Sequence, residues 1–253
     1  MKMHYGWVVP ALMVATTLMV SGCGGGDAPP PKTFPLRAAL DALTRTGSSF
    51  TMQAIGTGAA ATKAVDGDCS GSLVETDGAA NTLTIFESTN AYSSAVSANL
   101  TFTAGCALAN ITASETDYFD SASLVPLGAI VNGFNYYGVY DTPPVIPVSV
   151  QLGSSGDIGT LTFYTDSTKA TPVGTAKRSY VIEADGPDSV IANSISNAYD
   201  AQIPPKLTSV SQVRYRLGTT GKLTMVSQDI VQYDNSKTPV AQTRLVFRCT
   251  LGC

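Results

Sequence analysis

The chain has 253 residues, a net charge of −4 and only 13% charged residues, so it can bury a sizeable core and is too apolar to be disordered. Its one histidine, His4, and its one tryptophan, Trp7, both lie near the N-terminus. If the chain is cut before Cys23, as argued below, the remainder has no imidazole for a Ser-His-Asp or Cys-His catalytic set, a histidine zinc site or a histidine-ligated haem. The excess of acids also disfavours nucleic-acid binding, which needs clustered lysine and arginine.

The N-terminal segment predicts an exported protein. Lys2 precedes an apolar run over residues 7–20, which is shorter than the roughly 20 residues of a membrane-spanning helix and ends in small residues, as a signal peptide does. Residues 24–32 are rich in glycine and proline, so we expect them to form a tether that does not pack into a core. We therefore expect a signal peptide over 1–22, a tether over 23–32 and a globular body over 33–253.

The apolar run ends in Val20-Ser21-Gly22-Cys23, which resembles the lipobox of bacterial lipoproteins. This resemblance implies cleavage before Cys23 and acylation of Cys23, so that the membrane is a partner through the acyl chains. Gly24, in place of an aspartate, favours the outer membrane of the cell envelope, with the body facing the periplasm or the cell surface.

The other four cysteines predict disulfides. Cys69, Cys106, Cys249 and Cys253 are an even number in an exported chain. Three pairings are open, and the local one joins Cys69 to Cys106 and Cys249 to Cys253. No metal site or cofactor is predicted, because the chain has no C-x-x-C pair.

Acids and bases are unevenly distributed along the chain. No lysine or arginine occurs between Lys63 and Lys169, although that stretch is rich in aspartate and glutamate. Either the first half presents a face for cations or a basic partner, or these acids lie on a solvated surface that the second half complements. We favour the solvated surface, since Glu115-Thr116-Asp117 lacks the ligand spacing of a calcium-binding loop.

The periodicity of the body predicts one short helix followed by strands. Leu36, Ala39, Leu40 and Leu43 have helical spacing over residues 35–45, and Gly47 is a plausible stop. Beyond residue 49 the period changes to two. Strands are predicted at 50–55, 71–75, 82–87, 99–103, 110–115, 145–152, 160–165, 177–184, 189–199, 207–217, 222–233 and 240–249, with a helix as the alternative for 189–199.

These elements predict a mainly β fold, in which an antiparallel meander forms a sandwich or a curved open barrel with the N-terminal helix docked on it. A subdivision of the body near residues 141–147, where prolines cluster, is an alternative to a single domain. Turns are expected at 218–221 and 234–237, between the clearest strands.

An aromatic cluster is the binding surface that the sequence suggests. Phe134, Tyr136, Tyr137 and Tyr140 lie within seven residues, bordered by glycines and followed by prolines. The cluster forms either an aromatic platform for a glycan, peptide or lipid, or a set of rings of which two fill the core.

We predict a lipid-anchored, non-enzymatic envelope protein that has a structural or partner-binding role, the partner being a protein, a glycan or a lipid. Two alternatives are open. The first is a carrier that holds a lipid or other apolar ligand in a curved sheet. The second is a hydrolase that uses paired carboxylates, because many acid pairs are available and only their spacing in the fold decides. No catalytic residue is assigned.

Overall fold

The computed structural model describes residues 31–58, 70–102, 110–133, 135–235 and 241–253. This part of the chain contains one helix and thirteen strands. They are α1 (Leu36–Thr46), β1 (Ser48–Gly58), β2 (Gly71–Asp77), β3 (Thr82–Phe86), β4 (Thr89–Phe102), β5 (Ile111–Asp120), β6 (Pro126–Val131), β7 (Tyr136–Tyr140), β8 (Ser155–Tyr164), β9 (Pro172–Gly186), β10 (Ser189–Asp200), β11 (Leu207–Gly218), β12 (Leu223–Asp234) and β13 (Ala241–Leu251). No helix in the described ranges has the length and apolar character needed to span a bilayer.

The strands form one closed antiparallel barrel with twelve strands around its wall. Successive strands from β4 to β13 pair with their chain neighbours, and β13 pairs with β1. The long strand β4 completes the ring, because its first part pairs with β3 and its second part pairs with β2. The prediction of a mainly β antiparallel fold is confirmed, and the expected sandwich or curved open barrel is only roughly right, because the β2–β4 pairing closes the sheet into a barrel.

The predicted helix is confirmed, one residue later than expected. It begins after Pro35 and ends at Gly47, whose N–H donates to Leu43 O at 2.9 Å. Gly47 has a φ of +70°, and a Cβ there would lie 2.6 Å from the carbonyl oxygen of Asp77, so both backbone and space favour glycine. Its apolar face packs on inward-facing residues of β9 to β11, which explains how so short a helix is held.

We call the end of the barrel that α1 covers the helix end. In an antiparallel barrel alternate connections lie at the same end. The β5–β6, β7–β8, β9–β10 and β11–β12 connections therefore all lie at the helix end, and the β8–β9 and β10–β11 connections lie at the opposite end.

The strand predictions differ from the structure in three regions. Residues 145–152 are not a strand: only Val150 forms a bridge, with Phe34, and the nearby prolines remove the N–H groups that a ladder needs. Two strands were missed, β6 and β7, together with the first part of β4. Residues 189–199 lie in a strand, as predicted, and the helical alternative is wrong.

The sheet is continuous across the segment at which a subdivision was considered. Tyr140, before it, pairs with Leu161, after it. The turn at 218–221 is present: Gly221 N–H donates to Gly218 O at 3.0 Å. The second predicted turn, at 234–237, lies partly outside the described residues.

Apolar side chains on the inner face form separate clusters. One lies beneath α1 and contains Phe34, Ile182 and Leu217. A second, which contains Met52, Leu73 and Phe247, lies on β1, β2, β4 and β11 to β13. A third joins Tyr140, Leu161 and Ala176. The interior is therefore not one continuous apolar core, and the space that these clusters leave carries the candidate site.

The outer wall carries polar pairs. Arg216 Nε lies 2.8 Å from Asp185 Oδ2, and Arg214 Nε lies 3.4 Å from Glu183 Oε2. These cross-strand pairs lie on β9 and β11 and leave the charges in contact with water, as on an ordinary antiparallel sheet.

Candidate functional site

The barrel contains a cavity of about 480 Å³ beside α1. Leu43 and Thr44, in the last turn of the helix, border it, and Val213 and Tyr215 border it from the second apolar cluster. Its size lies within the range of small-molecule sites, which is about 300 to 1,000 Å³.

Four carboxylates line this cavity: Glu75 and Asp77 from β2, and Glu115 and Asp117 from β5. In each strand the two acids are two residues apart, so the alternation of side chains places both on the same face of the sheet. This face is the inner one, because all four acids line the cavity. Strand β4 lies between them. Its Val96 pairs with Asp77 on one side and with Glu115 on the other, so the two acid pairs face the same space at the same level of the barrel.

Small side chains on β4 leave room between the acids. Ser94, Val96 and Ala98 are the inward residues of this strand along the cavity. Asp117 pairs with Ser94 and Glu75 pairs with Ala98, and neither partner is long enough to cover the neighbouring carboxylate. The carboxylates are therefore directed into open space rather than into a packed core.

The pKa values of all four acids are raised. Burial raises the pKa of Glu75 to about 7, and the nearby charges of Asp77 and Glu115 add to this shift. Burial also raises the pKa of Asp117 and Glu115, an effect that Arg178 partly opposes. The pKa of Asp77 is raised by burial, although Ser48 Oγ donates to its Oδ2 at 2.8 Å. Negative charge is thus costly here without a counter-charge.

Arg178, on β9, is the one base among the described residues that lines the cavity. Its Nη1 donates to the hydroxyl of Tyr140 at 3.0 Å, and its guanidinium lies 5.8 Å from the centre of that ring. Burial lowers the pKa of Arg178, but Tyr140 and the carboxylates of Asp117 and Glu115 outweigh it and raise the pKa overall. One guanidinium faces four carboxylates, so the cavity has excess acid.

Neutral polar groups complete the lining. Ser194, Ser196 and Ser211 contribute hydroxyls from β10 and β11. Gln228, on β12, also lines the cavity, and its Oε1 is buried without a hydrogen-bond partner. A buried acceptor without a donor is unfavourable by about 1 to 3 kcal/mol. An N–H or O–H group of a bound molecule would satisfy it.

The acids do not form a metal site. In the part of the chain that the structure describes, no three histidine, cysteine, aspartate or glutamate side chains are arranged to hold a metal ion. The four carboxylates are spread over two strands that β4 separates, whereas a cation held by coordination needs its ligands within about 2 to 2.6 Å of one point. Their arrangement suits an extended cation better than a metal ion.

The aromatic cluster does not form one surface. Tyr140 points inward to Arg178, whereas Tyr137 stacks on Phe86 with ring centres 5.2 Å apart and donates its hydroxyl to Glu87 Oε1 at 2.8 Å. Tyr136 is half-buried at the start of β7, and Phe134 lies outside the described residues. Strand alternation thus separates Tyr137 from Tyr140.

The structure describes one pair of the predicted cysteines. Cys249 and Cys253 form a disulfide with a Cα–Cα distance of 6.1 Å. Cys23, Cys69 and Cys106 lie outside the described residues. Their lipidation and pairing stay predictions.

From the sequence we favoured the interpretation that the acids of the first half lie on a solvated surface. In the structure these four acids face inward instead. The signal that identifies them is the spacing Glu75-x-Asp77 and Glu115-x-Asp117 within period-two segments. This spacing assigns each pair to one face, but it does not say which face is the inner one.

Neither the known protein-family models, nor the curated proteins, nor the solved structures include a match to this chain. The class of protein is therefore defined by its geometry. It is a closed antiparallel β-barrel with a helix across one end and an acidic cavity inside.

Proposed function

We propose that the protein is a binding protein of the cell envelope, anchored by lipid on Cys23, whose barrel holds a small, hydrophilic, positively charged molecule. The observation that supports this proposal is the 480 Å³ cavity, which four carboxylates and one guanidinium line.

The charge balance supports a cationic ligand. Burial raises the pKa of the four acids, which means that Arg178 compensates their charged forms only in part. A bound ammonium or guanidinium group would supply it. Such a group would also donate to Gln228 Oε1, the buried acceptor without a partner.

The lining supports a hydrophilic ligand over an apolar one. A carrier of acyl chains needs an apolar cavity wall, because a carboxylate or hydroxyl placed against a hydrocarbon chain loses its hydrogen bonds to water. Here Glu75, Asp117, Arg178 and Gln228 lie on the wall together with three serines. We therefore prefer a polar ligand to the lipid carrier considered from the sequence.

The anchor rests on the resemblance of Val20-Ser21-Gly22-Cys23 to a lipobox. Replacing Cys23 by alanine should abolish acyl labelling and release the protein from the membrane fraction. Unchanged membrane fractionation of Cys23→Ala would show that the N-terminal segment was misinterpreted.

Isothermal titration calorimetry with three four-carbon probes tests the ligand class. The probes are butane-1,4-diamine, butane-1,4-diol and succinate, which have similar length and differ in charge. We expect the diamine to bind at pH 8 and the diol and succinate not to bind. Equal binding of all three, or binding of succinate alone, would refute a cation site.

Two aspartate variants locate the binding. Asp117→Asn removes a cavity carboxylate and should weaken diamine binding at least tenfold, or about 1.4 kcal/mol. Asp229→Asn is the matched control, since Asp229 lies on the outer wall, 3.0 Å from Arg244 Nε. If both variants weaken binding equally, the diamine binds the outer surface rather than the cavity.

The affinity for the diamine should rise between pH 5 and pH 8. The ammonium groups keep their charge over this range, because their pKa is near 10.4. Burial raises the pKa of Glu75 and of Asp117 to about 7, so these two acids lose their protons within this range. An affinity independent of pH would show that these carboxylates do not hold the ligand.

A further inference from the structure

The N-terminal chain joins the barrel at the helix end. Lys32 Nζ donates to the carbonyl of Pro187 at 2.6 Å and lies 2.7 Å from Asp188 Oδ1, both in the β9–β10 connection. Two residues later, Phe34 and Val150 exchange backbone hydrogen bonds of 2.8 and 2.9 Å. Any anchor that precedes Lys32 therefore pulls on this end of the barrel.

The same end exposes aliphatic side chains. Val145, Val148 and Leu152 in the β7–β8 connection are 69%, 79% and 61% exposed. Isolated exposed aliphatic residues are ordinary on a protein surface. Here three lie in one connection of the helix end, and we call these three residues the apolar rim.

Hydrogen bonds join the apolar rim to α1 and to the β5–β6 connection. The backbone N–H of Arg37 donates to Val148 O at 3.3 Å. The Nη2 of the same arginine donates to the carbonyl of Ser123 in the β5–β6 connection. The apolar rim is thus held at the helix end.

We propose that the helix end of the barrel lies against the lipid bilayer, with the apolar rim inserted at the boundary between headgroups and acyl chains. This inference rests on the proposed lipid anchor at Cys23. The nine residues from Gly24 to Lys32 span about 28 Å as an extended polyproline-like chain, at roughly 3.1 Å per residue. The anchor therefore keeps this end close to the membrane, and the opposite end faces away from it.

Fluorescence quenching by brominated lipids tests the orientation. Val148→Trp places a tryptophan in the apolar rim, and Ile203→Trp places one at the opposite end, where Ile203 is 98% exposed. Each full chain is produced with its lipid and reconstituted into vesicles that contain phospholipids brominated in the acyl chains. The parent protein supplies the baseline for any emission from Trp7.

We expect quenching at position 148 to exceed that at position 203 by at least threefold. Equal quenching, or stronger quenching at position 203, in vesicle-bound protein would overturn the orientation and leave the anchor intact. Failure of the parent protein to float with the vesicles would overturn the anchor and the orientation together.

Amide hydrogen exchange of the parent protein gives a second measurement without substitution. Addition of vesicles should slow exchange at residues 145–148 and leave residues 200–203 unchanged. Slowing at 200–203 alone, or at neither segment, would overturn the orientation.

Discussion

Replacement of Glu75 by glutamine should stabilise the barrel at pH 8 and leave its stability at pH 4 unchanged. Below pH 4.5 the carboxyl is protonated in the folded and unfolded chains alike. Between pH 4.5 and about 7 the folded protein retains a proton that the unfolded chain releases, so the free energy of unfolding falls as the pH rises. Glutamine mimics the protonated acid and abolishes this loss.

The shift in the pKa of Glu75, from 4.5 to about 7, sets the magnitude. Since each tenfold change in proton affinity corresponds to about 1.36 kcal/mol, this shift corresponds to about 3 kcal/mol at pH 8. For a chain of this length that difference raises the melting temperature by about 6 to 12 °C. Urea and thermal denaturation of ligand-free protein at pH 4 and pH 8 measure it.

Glu87→Gln is the matched control and should have the opposite sign. Glu87 Oε2 lies 2.5 Å from Lys169 Nζ, and the hydrogen bond from this lysine lowers the pKa of Glu87. Its charge therefore stabilises the fold above pH 4.5, and glutamine should cost up to about 1 kcal/mol at pH 8. A Glu75→Gln variant that is equally stabilised at both pH values, or destabilised at pH 8, would refute the assignment of a buried charged carboxylate.

Three further stability predictions follow from packing and from the disulfide, each measured by urea denaturation at pH 7. Gly128→Ala places a Cβ 2.1 Å from a carbonyl oxygen and should cost about 1 to 3 kcal/mol, whereas Gly133→Ala, with nothing within 4 Å, should change stability by less than about 0.5 kcal/mol. Phe247→Ala should cost about 3 to 5 kcal/mol, because this side chain is fully buried. Cys253→Ser opens a short loop and should cost about 2 kcal/mol, with no loss if the protein is already reduced.

The helix and the second half of the sheet could be predicted because their patterns are local. Leu36, Ala39 and Leu43 have helical spacing, and the strands from β8 to β13 alternate between clear turn residues. Strands β6 and β7 were missed because they are short and a glycine interrupts each of them. Their Gly128 and Gly138 pack against the rings of Phe86 and Phe163, contacts that depend on tertiary structure.

Closure of the barrel was beyond prediction because it depends on a pairing between strands that are not consecutive. The predicted strand at 99–103 covers only the end of β4, whereas the ring is completed by ladder pairs from Asp77–Val96 to Gly71–Phe102. A wide interior follows from this closure. It also explains why the acids were misplaced: Glu115 and Asp117 alternate with Thr116 and Tyr118, so both faces of β5 are polar and neither is marked as the inner one.

Pairing of β1 with β13 has a consequence for the order of folding. Met52 pairs with Cys249, so the two strands that meet lie almost a whole chain apart in sequence. Forming such a contact costs a large loop-closure entropy, because a long segment of chain must be closed, and the contact therefore forms slowly. During synthesis, β1 has no partner on this side until the C-terminal strand leaves the ribosome. A chain stopped before β13 presents two free sheet edges, at β1 and β12, and these edges are the ones at which aggregation of incomplete chains is expected to begin.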